Sequence, residues 1–444
     1  MERKAPKKSV SSSLQDLRGK AKADKKYRFR NLYTLINEEL LYQSFYRLKR
    51  TAAPGIDRVT WQDYEADLEV NIKDLLDRLK AKRYRARLIR RKYIPKGNGK
   101  RRPLGIPVLE DKIVQQAVRT ILEAIYEADF MESSHGYRPN RGAQALLKQL
   151  QHELYCEKRI NWIVEADIKS FFDRMNHGWL IRMLEERIND RAMIRLITKW
   201  LKAGVLEEDG QEVHPETGSP QGGIISPLLA NLYLHYVLDL WTEKPIRRSN
   251  RGQLLYVRYA DDFICGFQHP SDARRYHQAL KERLAKFGLE IAEEKTHILR
   301  FSKFDPERSR PFTFLGIDFY WEADRNGKPM IKRRTNKEKF RRSLRGLKEW
   351  IKKHRNERIG TLAATLRKKF QGYWNYYGLQ GNSRMLWKYW WYSQGLVYKW
   401  LNRRSQRKSY TGQAFRAMWQ AMKIPEPRIV ESAYRKPELT WQWA

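Results

Sequence analysis

The stretch that most restricts this chain is a pair of short apolar runs, Leu254–Tyr259 and Phe263–Phe267, separated only by Ala260-Asp261-Asp262. Apolar runs on both sides of so short a break predict strand, turn, strand, with the acids at the hairpin tip. A third run, Asn161-Trp-Ile-Val-Glu-Ala-Asp167-Ile168, reads as a buried strand that closes on an acid. Asp167 precedes Asp261 by 94 residues. Strand ends and tight turns hold side chains rigidly, so these positions suit a site that needs fixed carboxylates.

The flanking sequence supplies helices and one more hairpin. Leu32, Leu35, Ile36, Leu40, Leu41, Phe45 and Leu48 lie on one helical face over residues 31–50, and a second helix is expected over 61–82. Residues 84–107 predict a hairpin, with Gly97, Asn98 and Gly99 supplying the positive φ of its turn. Helices follow over 110–127, 176–204 and 271–287, with a short strand at 312–320. Three more helices fit 335–354, 359–377 and 383–402.

Charge decides the class of partner. The chain has 444 residues, with 89 Lys and Arg against 51 Asp and Glu, a net charge of +38. Residues 331–410 concentrate it, with 23 Lys and Arg against three acids. Such a surplus repels itself unless a polyanion accompanies it, and nucleic acid is the leading candidate. A basic binding protein without chemistry fits the charge equally well. Hydrophobic residues make up 41% of the chain, enough for a packed core. The length implies two or more subdomains. The two cysteines, Cys156 and Cys265, exclude a disulfide scaffold and a thiolate zinc cluster and fit a reducing, cytoplasmic setting. No run is long enough to span a membrane. Met1 to Lys26 lacks the apolar stretch of a signal peptide and reads as a basic flexible arm.

Carboxylates are the hard oxygen ligands that Mg²⁺ prefers, and nucleotidyl transfer uses two such ions roughly 3.5–4 Å apart. Asp167, Asp261 and Asp262 fit that chemistry. An Asp that merely caps a turn is the simpler alternative. At these residues the chain resembles the bacterial group II intron-encoded reverse transcriptases. Val164-Glu-Ala-Asp167-Ile-Lys-Ser-Phe171-Phe172-Asp173 is similar to their motif A, and Tyr259-Ala-Asp261-Asp262 to their motif C. Gly218-Ser-Pro220-Gln221-Gly222-Gly223-Ile-Ile-Ser226-Pro227 resembles motif B. Upstream, Ile94-Pro-Lys96 through Arg102-Pro-Leu-Gly105 and Ser134-His135-Gly-Tyr-Arg138-Pro-Asn-Arg141 match the fingers motifs. Ala292-Glu-Glu-Lys295-Thr and Phe314-Leu-Gly-Ile317 match motifs D and E. Gly372-Tyr-Trp-Asn-Tyr-Tyr377 and Arg403-Arg-Ser-Gln-Arg407 extend the match, less sharply, into the maturase region.

The resemblance implies an α+β right-hand polymerase. It divides the chain into a flexible arm (1–30), fingers (31–160), a palm (161–325), a helical thumb or maturase domain (326–410) and a tail (411–444) with a possible nucleic-acid role. It implies that Asp167 and Asp261 bridge two Mg²⁺ ions, with Mn²⁺ a possible substitute, that Asp262 holds the catalytic ion, and that the Ile168 carbonyl adds a ligand. Lys96 and Arg102 would fold over the triphosphate, or else belong to a solvated basic turn. Phe172 would close the space of a ribose 2′-hydroxyl, or else be a core residue. Gln221 would touch the incoming nucleotide. Lys295 would protonate the leaving pyrophosphate, or else be a surface lysine.

Aromatic residues crowd 373–400, including Tyr373, Trp374, Tyr389, Trp390, Trp391 and Tyr392. They could stack on unpaired RNA bases or form the helical core. Arg333, Arg334, Arg341, Lys368, Lys369, Arg403, Arg404 and Arg407 are the candidate phosphate contacts. Arg58, Gly142 and Gln144 depart from the usual pattern and bear on template handling. No Cys follows Cys265 and no His follows His354, so the nuclease of many relatives is not expected. The implied partners are intron RNA as template, a DNA or RNA primer, dNTPs and target DNA, with a homodimer possible. Two rival readings share the sequence: a maturase with dispensable polymerase, and a domesticated enzyme of DNA repair or defence.

Overall fold

The computed structural model describes residues 9–97, 100–157, 159–214, 216–218, 222–407 and 409–431; the side chains of residues 96, 97, 100, 156 and 157 lie outside that description. Eleven strands follow one another along these residues: β1 Ile89–Gly97, β2 Lys100–Ile106, β3 Trp162–Ala166, β4 Val205–Leu206, β5 Glu212–Val213, β6 Leu254–Tyr259, β7 Asp262–Phe267, β8 His297–Arg300, β9 Phe312–Phe314, β10 Ile317–Ala323 and β11 Pro329–Thr335. They form three sheets, ordered β2-β1-β4-β5, β6-β7-β3-β8 and β11-β10-β9. All pairings of the second sheet are antiparallel.

That second sheet positions the acids. Val164 pairs with Cys265 on one side and Ile298 on the other, all within a strand trio buried against helices. Tyr259 pairs with Asp262, so the β6–β7 hairpin turns over Ala260 and Asp261 alone. The third sheet departs from the sequence expectation of one strand over 312–320. Leu315 (φ 50°) and Gly316 (φ 76°) are both left-handed and turn the chain back between β9 and β10.

Polar caps split other expected elements. Helix 31–50 shortens to Glu38–Arg47, capped by Asn37, whose side chain accepts from the Leu40 N–H. Helix 61–82 becomes Trp61–Ala66 and Leu68–Lys80, broken at Asp67. Helix 176–204 becomes His177–Glu185 and Arg191–Leu201, because Asp190 caps the second by accepting from Ala192 and Met193. Ser, Thr, Asn and Asp favour helix starts over helix interiors, and apolar periodicity does not see them.

The basic arm expected over 1–30 is a helix from Val10 to Ala23, capped by Ser9. Val10, Leu17 and Ala21 repeat at helical spacing and pack into the main core with Phe29. Arg187 pins its end by donating to the Asp24 carbonyl at 2.9 Å and the Ala21 carbonyl at 3.2 Å. Only residues 1–8 of that arm lie outside the described residues.

Helices Lys337–His354, Ile359–Tyr377 and Ser383–Leu401 match the three expected near the C-terminus. The tail begins as a fourth helix, Gly412–Ala421, not as an appendage. Phe415, Trp419, Met422 and Ile424 complete the core formed by Phe370, Trp374, Tyr389 and Trp390. The Trp374 indole donates to the Pro425 carbonyl at 2.8 Å.

A buried acid beneath the first hairpin carries a testable pH effect. Asp111 is 2% exposed; the Tyr84 hydroxyl and the Arg87 N–H donate to it. Burial pushes its carboxyl from 3.8 up to about 6, against the pull of those donors. The folded state therefore holds this proton more tightly than the unfolded chain. The contribution of Asp111 to stability falls as pH rises from about 4 to about 6 and stays low above that, by up to about 3 kcal/mol. Urea unfolding across that range should show wild type losing up to about 3 kcal/mol relative to Asp111→Asn as pH rises. A constant difference would refute the assignment.

Candidate active site

The turn carrying the acids is strained and held from behind. Ala260 adopts φ 57°, a left-handed conformation that costs a non-glycine residue about 1–2 kcal/mol. The segment Ser133–Gly136 lies against it. Arg258 N–H donates to the Ser133 carbonyl at 2.8 Å, and His135 N–H donates to the Arg258 carbonyl at 2.9 Å. A Cβ on Gly136 would stand 2.3 Å from the Ala260 nitrogen, so no other residue fits there.

Arg258 supplies the remaining support. Its side chain is fully buried and all five of its N–H directions are used. It donates to both Asp239 oxygens (2.7 and 2.6 Å), to Asn231 Oδ1 (3.0 Å), to Ser134 Oγ (2.7 Å) and to the Ala260 carbonyl (2.8 Å). Asn231 in turn donates to the Gly136 carbonyl at 2.6 Å, and Tyr256 Oη donates to Asp239 at 2.7 Å. One guanidinium thus ties the turn to two distant segments. Sequence reasoning missed Arg258 and Asp239; the available signal was a charge inside each of two otherwise apolar runs.

Asp167 follows β3 directly. Its carbonyl accepts from the Ala292 N–H at 2.8 Å, and Lys169 N–H donates to the Glu290 carbonyl at 2.9 Å. These two bonds flank the bridge between Ile168 and Ile291 and leave the Ile168 carbonyl outside it. The Asp167 carboxylate accepts from Lys295 Nζ. That bond raises the Lys295 pKa, so the lysine is held as a cation beside the acid.

Asp167, Asp261, Asp262, Arg102 and Lys295 line one cavity of about 1010 Å³. Phe314, Leu315 and Gly316 form part of its wall, and Lys339, Arg342, Tyr376 and Tyr377 reach it from the C-terminal helices. Tyr376 Oη donates to the Leu315 carbonyl at 2.9 Å, fastening those helices to the β9–β10 turn. Asp262 is exposed to the cavity, with the body of the protein behind it. That surrounding, and then the charges of Asp261 and Asp167, push its carboxyl up to about 6; Lys339 and Lys295 pull it back. The acids therefore feel one another. As placed, however, no three acidic, histidine or cysteine side chains among the described residues stand close enough to hold a metal ion.

Other expected site residues fall elsewhere. Phe172 is half-buried with its ring 5.4 Å from that of Phe171. Among the described residues it is not in the cavity wall. Gln221 lies outside the described residues, as does the Lys96 side chain. The neighbouring Gly222 (φ 116°) abuts β2: a Cβ there would stand 2.5 Å from the Gly105 carbonyl. Arg333 is a correction. It is 1% exposed and pairs through both terminal nitrogens with Glu431 at 2.9 and 2.6 Å, so it anchors the tail and is closed to RNA. β11 puts it on the inward face, where a Lys/Arg count cannot distinguish it from its neighbours. Arg334 stacks on Tyr320 at 4.8 Å and pairs with Asp318, and Arg404 is half-buried, donating to the Glu357 carbonyl at 3.0 Å. Arg341, Lys368, Lys369, Arg403 and Arg407 are exposed.

The chain is similar to known proteins over much of its length. The family of reverse transcriptases (RNA-dependent DNA polymerases) matches residues 94–319, which contain every acid of the cavity floor. The group II intron-encoded protein LtrA of Lactococcus lactis subsp. cremoris is 33% identical, over 78% of this chain and 69% of its own length. Protein YkfC of Escherichia coli (strain K12) is 36% identical over 49% of this chain and 64% of its own. The putative COX1/OXI3 intron 1 protein of Saccharomyces cerevisiae is 28% identical over 60% of this chain and 37% of its own.

Proposed function

Since the chain belongs to the family of group II intron-encoded reverse transcriptases, we propose that its DNA synthesis on RNA runs through a two-cation centre held by Asp167, Asp261 and Asp262. The observation that carries this reading is the convergence of the three acids on one cavity with Arg102 and Lys295. The donor chemistry fits Mg²⁺, with Mn²⁺ as its substitute: three carboxylates in mutual repulsion, one already holding an ammonium group. When bound, the ions would make the primer 3′-hydroxyl a stronger nucleophile and neutralise charge on the triphosphate. Asp167, Asp261, Asp262 and the Ile168 carbonyl would hold the ions. Asp167 must first release Lys295, which frees that lysine to give its proton to departing pyrophosphate.

In this reading β1–β2 forms the fingers, the sheet β6-β7-β3-β8 the palm, and the C-terminal helices the thumb. Arg102, with Lys96, closes over the triphosphate as a planar fork and a point charge. Gln221 meets the nucleotide. Phe172 excludes the ribose 2′-hydroxyl once the nucleotide enters. Arg341, Lys368, Lys369, Arg403 and Arg407 contact the phosphates of the primer–template or of intron RNA, whose splicing the protein assists. Target DNA, or a nick in it, supplies the primer.

Purified protein should extend a DNA primer on an RNA template given dNTPs and Mg²⁺, and should fail with EDTA. An inert protein would refute the proposal. Phe172→Ala should raise ribonucleotide incorporation by roughly tenfold or more, the value of a lost steric clash of one to a few kcal/mol. Unchanged sugar discrimination would remove Phe172 from that role.

A further inference from the structure

Glu165 lines the catalytic cavity two residues before Asp167, yet the two-cation reading assigns it no role. It belongs to β3, where it pairs with Ile264 on one side and His297 on the other. Side chains two apart along a strand share a face, so Glu165 and Asp167 look into the same cavity. A half-buried carboxylate needs a hydrogen-bond donor to offset its lost water. Thr313 supplies one: its backbone N–H donates to Glu165 Oε1 at 2.6 Å.

That bond joins two sheets. Thr313 lies on β9, an edge strand of the third sheet. It pairs with Asp318, one step back from Phe314 and Ile317, which close the two-residue turn. Hydrogen-bonded and non-hydrogen-bonded pairs alternate along an antiparallel ladder, so the Thr313 N–H is directed away from β10. An edge strand leaves such donors open. Glu165 takes this one up from the catalytic strand.

The turn beyond Thr313 forms part of the cavity wall, and its backbone is strained. Leu315 and Gly316 are both left-handed, and a non-glycine residue stays so only where its surroundings hold it. Tyr376 Oη donates to the Leu315 carbonyl, and the Asn336 N–H donates to the Gly316 carbonyl at 3.0 Å. The Asn336 side chain donates to Asp318 Oδ1 at 2.7 Å, and Thr313 Oγ1 donates to the same oxygen at 2.8 Å. These bonds fasten the turn to its own sheet and to the C-terminal helices. Glu165 fastens it to the strand that ends at Asp167.

We propose that Glu165 is a positioning residue for DNA synthesis: through Thr313 it fixes the spacing between the acids and the β9–β10 turn, and with it the place of the primer 3′-hydroxyl. The inference rests on the reading that this cavity is the polymerase centre. There the attacking hydroxyl and the departing pyrophosphate lie in line. Arg102 takes the triphosphate, so the primer end comes to the acids along another wall, which the β9–β10 turn forms beside Lys339 and Arg342. A turn that drifts carries the hydroxyl out of line, and a shift of roughly 1 Å costs about a hundredfold in rate. Glu165 Oε1 is engaged by the Thr313 N–H, so it serves the reaction through that residue and not at the cations.

The test measures single-turnover extension by full-length protein on a saturating RNA-template/DNA-primer hybrid, at rising dNTP concentrations. Glu165→Ala should lower the maximal rate by roughly tenfold to a hundredfold. The dNTP concentration at half the maximal rate, and the Mg²⁺ requirement, should each stay within about twofold of wild type, as for a group that acts on alignment and not on binding. Glu165→Gln keeps an oxygen that accepts from the Thr313 N–H and should restore most of the rate. Thr313→Pro removes the donor at an edge position that the ladder does not use, and should repeat the loss with Glu165 intact. The proposal is overturned if Glu165→Ala extends at the wild-type rate, if Glu165→Gln is as slow as Glu165→Ala, or if the Mg²⁺ or dNTP requirement rises in place of the fall in rate. Should Glu165→Ala fail to fold, an undiminished rate in Thr313→Pro overturns it alone. The wild-type rate in the same assay reports separately on the polymerase reading, so the two failures are distinguishable.

Discussion

Asp261→Ala is expected to reduce primer extension by about 10³-fold or more, with the protein still folded. Cation charge stabilisation in phosphoryl transfer amounts to several kcal/mol, and each 1.4 kcal/mol is a factor of ten. The turn itself should survive the substitution. Ala260 keeps its support from Gly136 and Arg258, neither of which uses the Asp261 side chain. Asp167→Ala should be equally inactive for the same reason. It should also release Lys295, which donates to that carboxylate. Circular dichroism melting should therefore show both variants folded, and the Asp261 variant should relieve part of the repulsion that raises Asp262. Asp261→Ala protein that extended a primer at even a tenth of the wild-type rate would end the two-cation reading.

The sequence made the three cavity acids legible because strand-forming runs adjoin them. The hairpin Leu254–Phe267 and the strand before Asp167 are short continuous apolar runs, buried along most of their length and joined by a short turn, which are local signals. The neighbours of the acids were harder to read. Lys339 and Tyr376 reach the cavity from helices more than 70 residues after Asp262, and no local pattern announces which face of a helix will meet it. Arg333 failed in the opposite direction: it looked like one basic residue among many until Glu431, 98 positions later, proved to be its buried partner. Helix limits failed where an Asn or Asp cap interrupted an apolar stripe, as at Asn37 and Asp190. The aromatic segment 373–400 split as neither reading alone would have it, with Trp374 fully buried and Trp391 largely open.

Arg258 is where that hidden long-range order should matter most. Removing one partner of a fully buried ion pair leaves an uncompensated charge and costs roughly 3–5 kcal/mol. Arg258→Met should lose stability on that scale, since Asp239 would remain 0% exposed with Tyr256 donating to it and the His235 ring 3.9 Å away. Asp239→Leu should behave alike. The double variant Arg258→Met/Asp239→Leu removes both charges, so much of the lost stability should return. Activity should not return with it. The Ala260 carbonyl, Asn231 and Ser134 would still lack the donor that fixes them, and the strained turn would be free to relax toward ordinary backbone angles. A displaced turn misplaces Asp261 and Asp262, and small misplacements of reacting groups are costly, about a hundredfold for 1 Å. The double variant should therefore melt above either single variant but below the wild type, extend primers at about 1% of the wild-type rate, and need more Mg²⁺ to do so. If stability and extension recovered together, Arg258 would be structural only. If stability recovered and extension did not, the guanidinium is the residue that aims the acids.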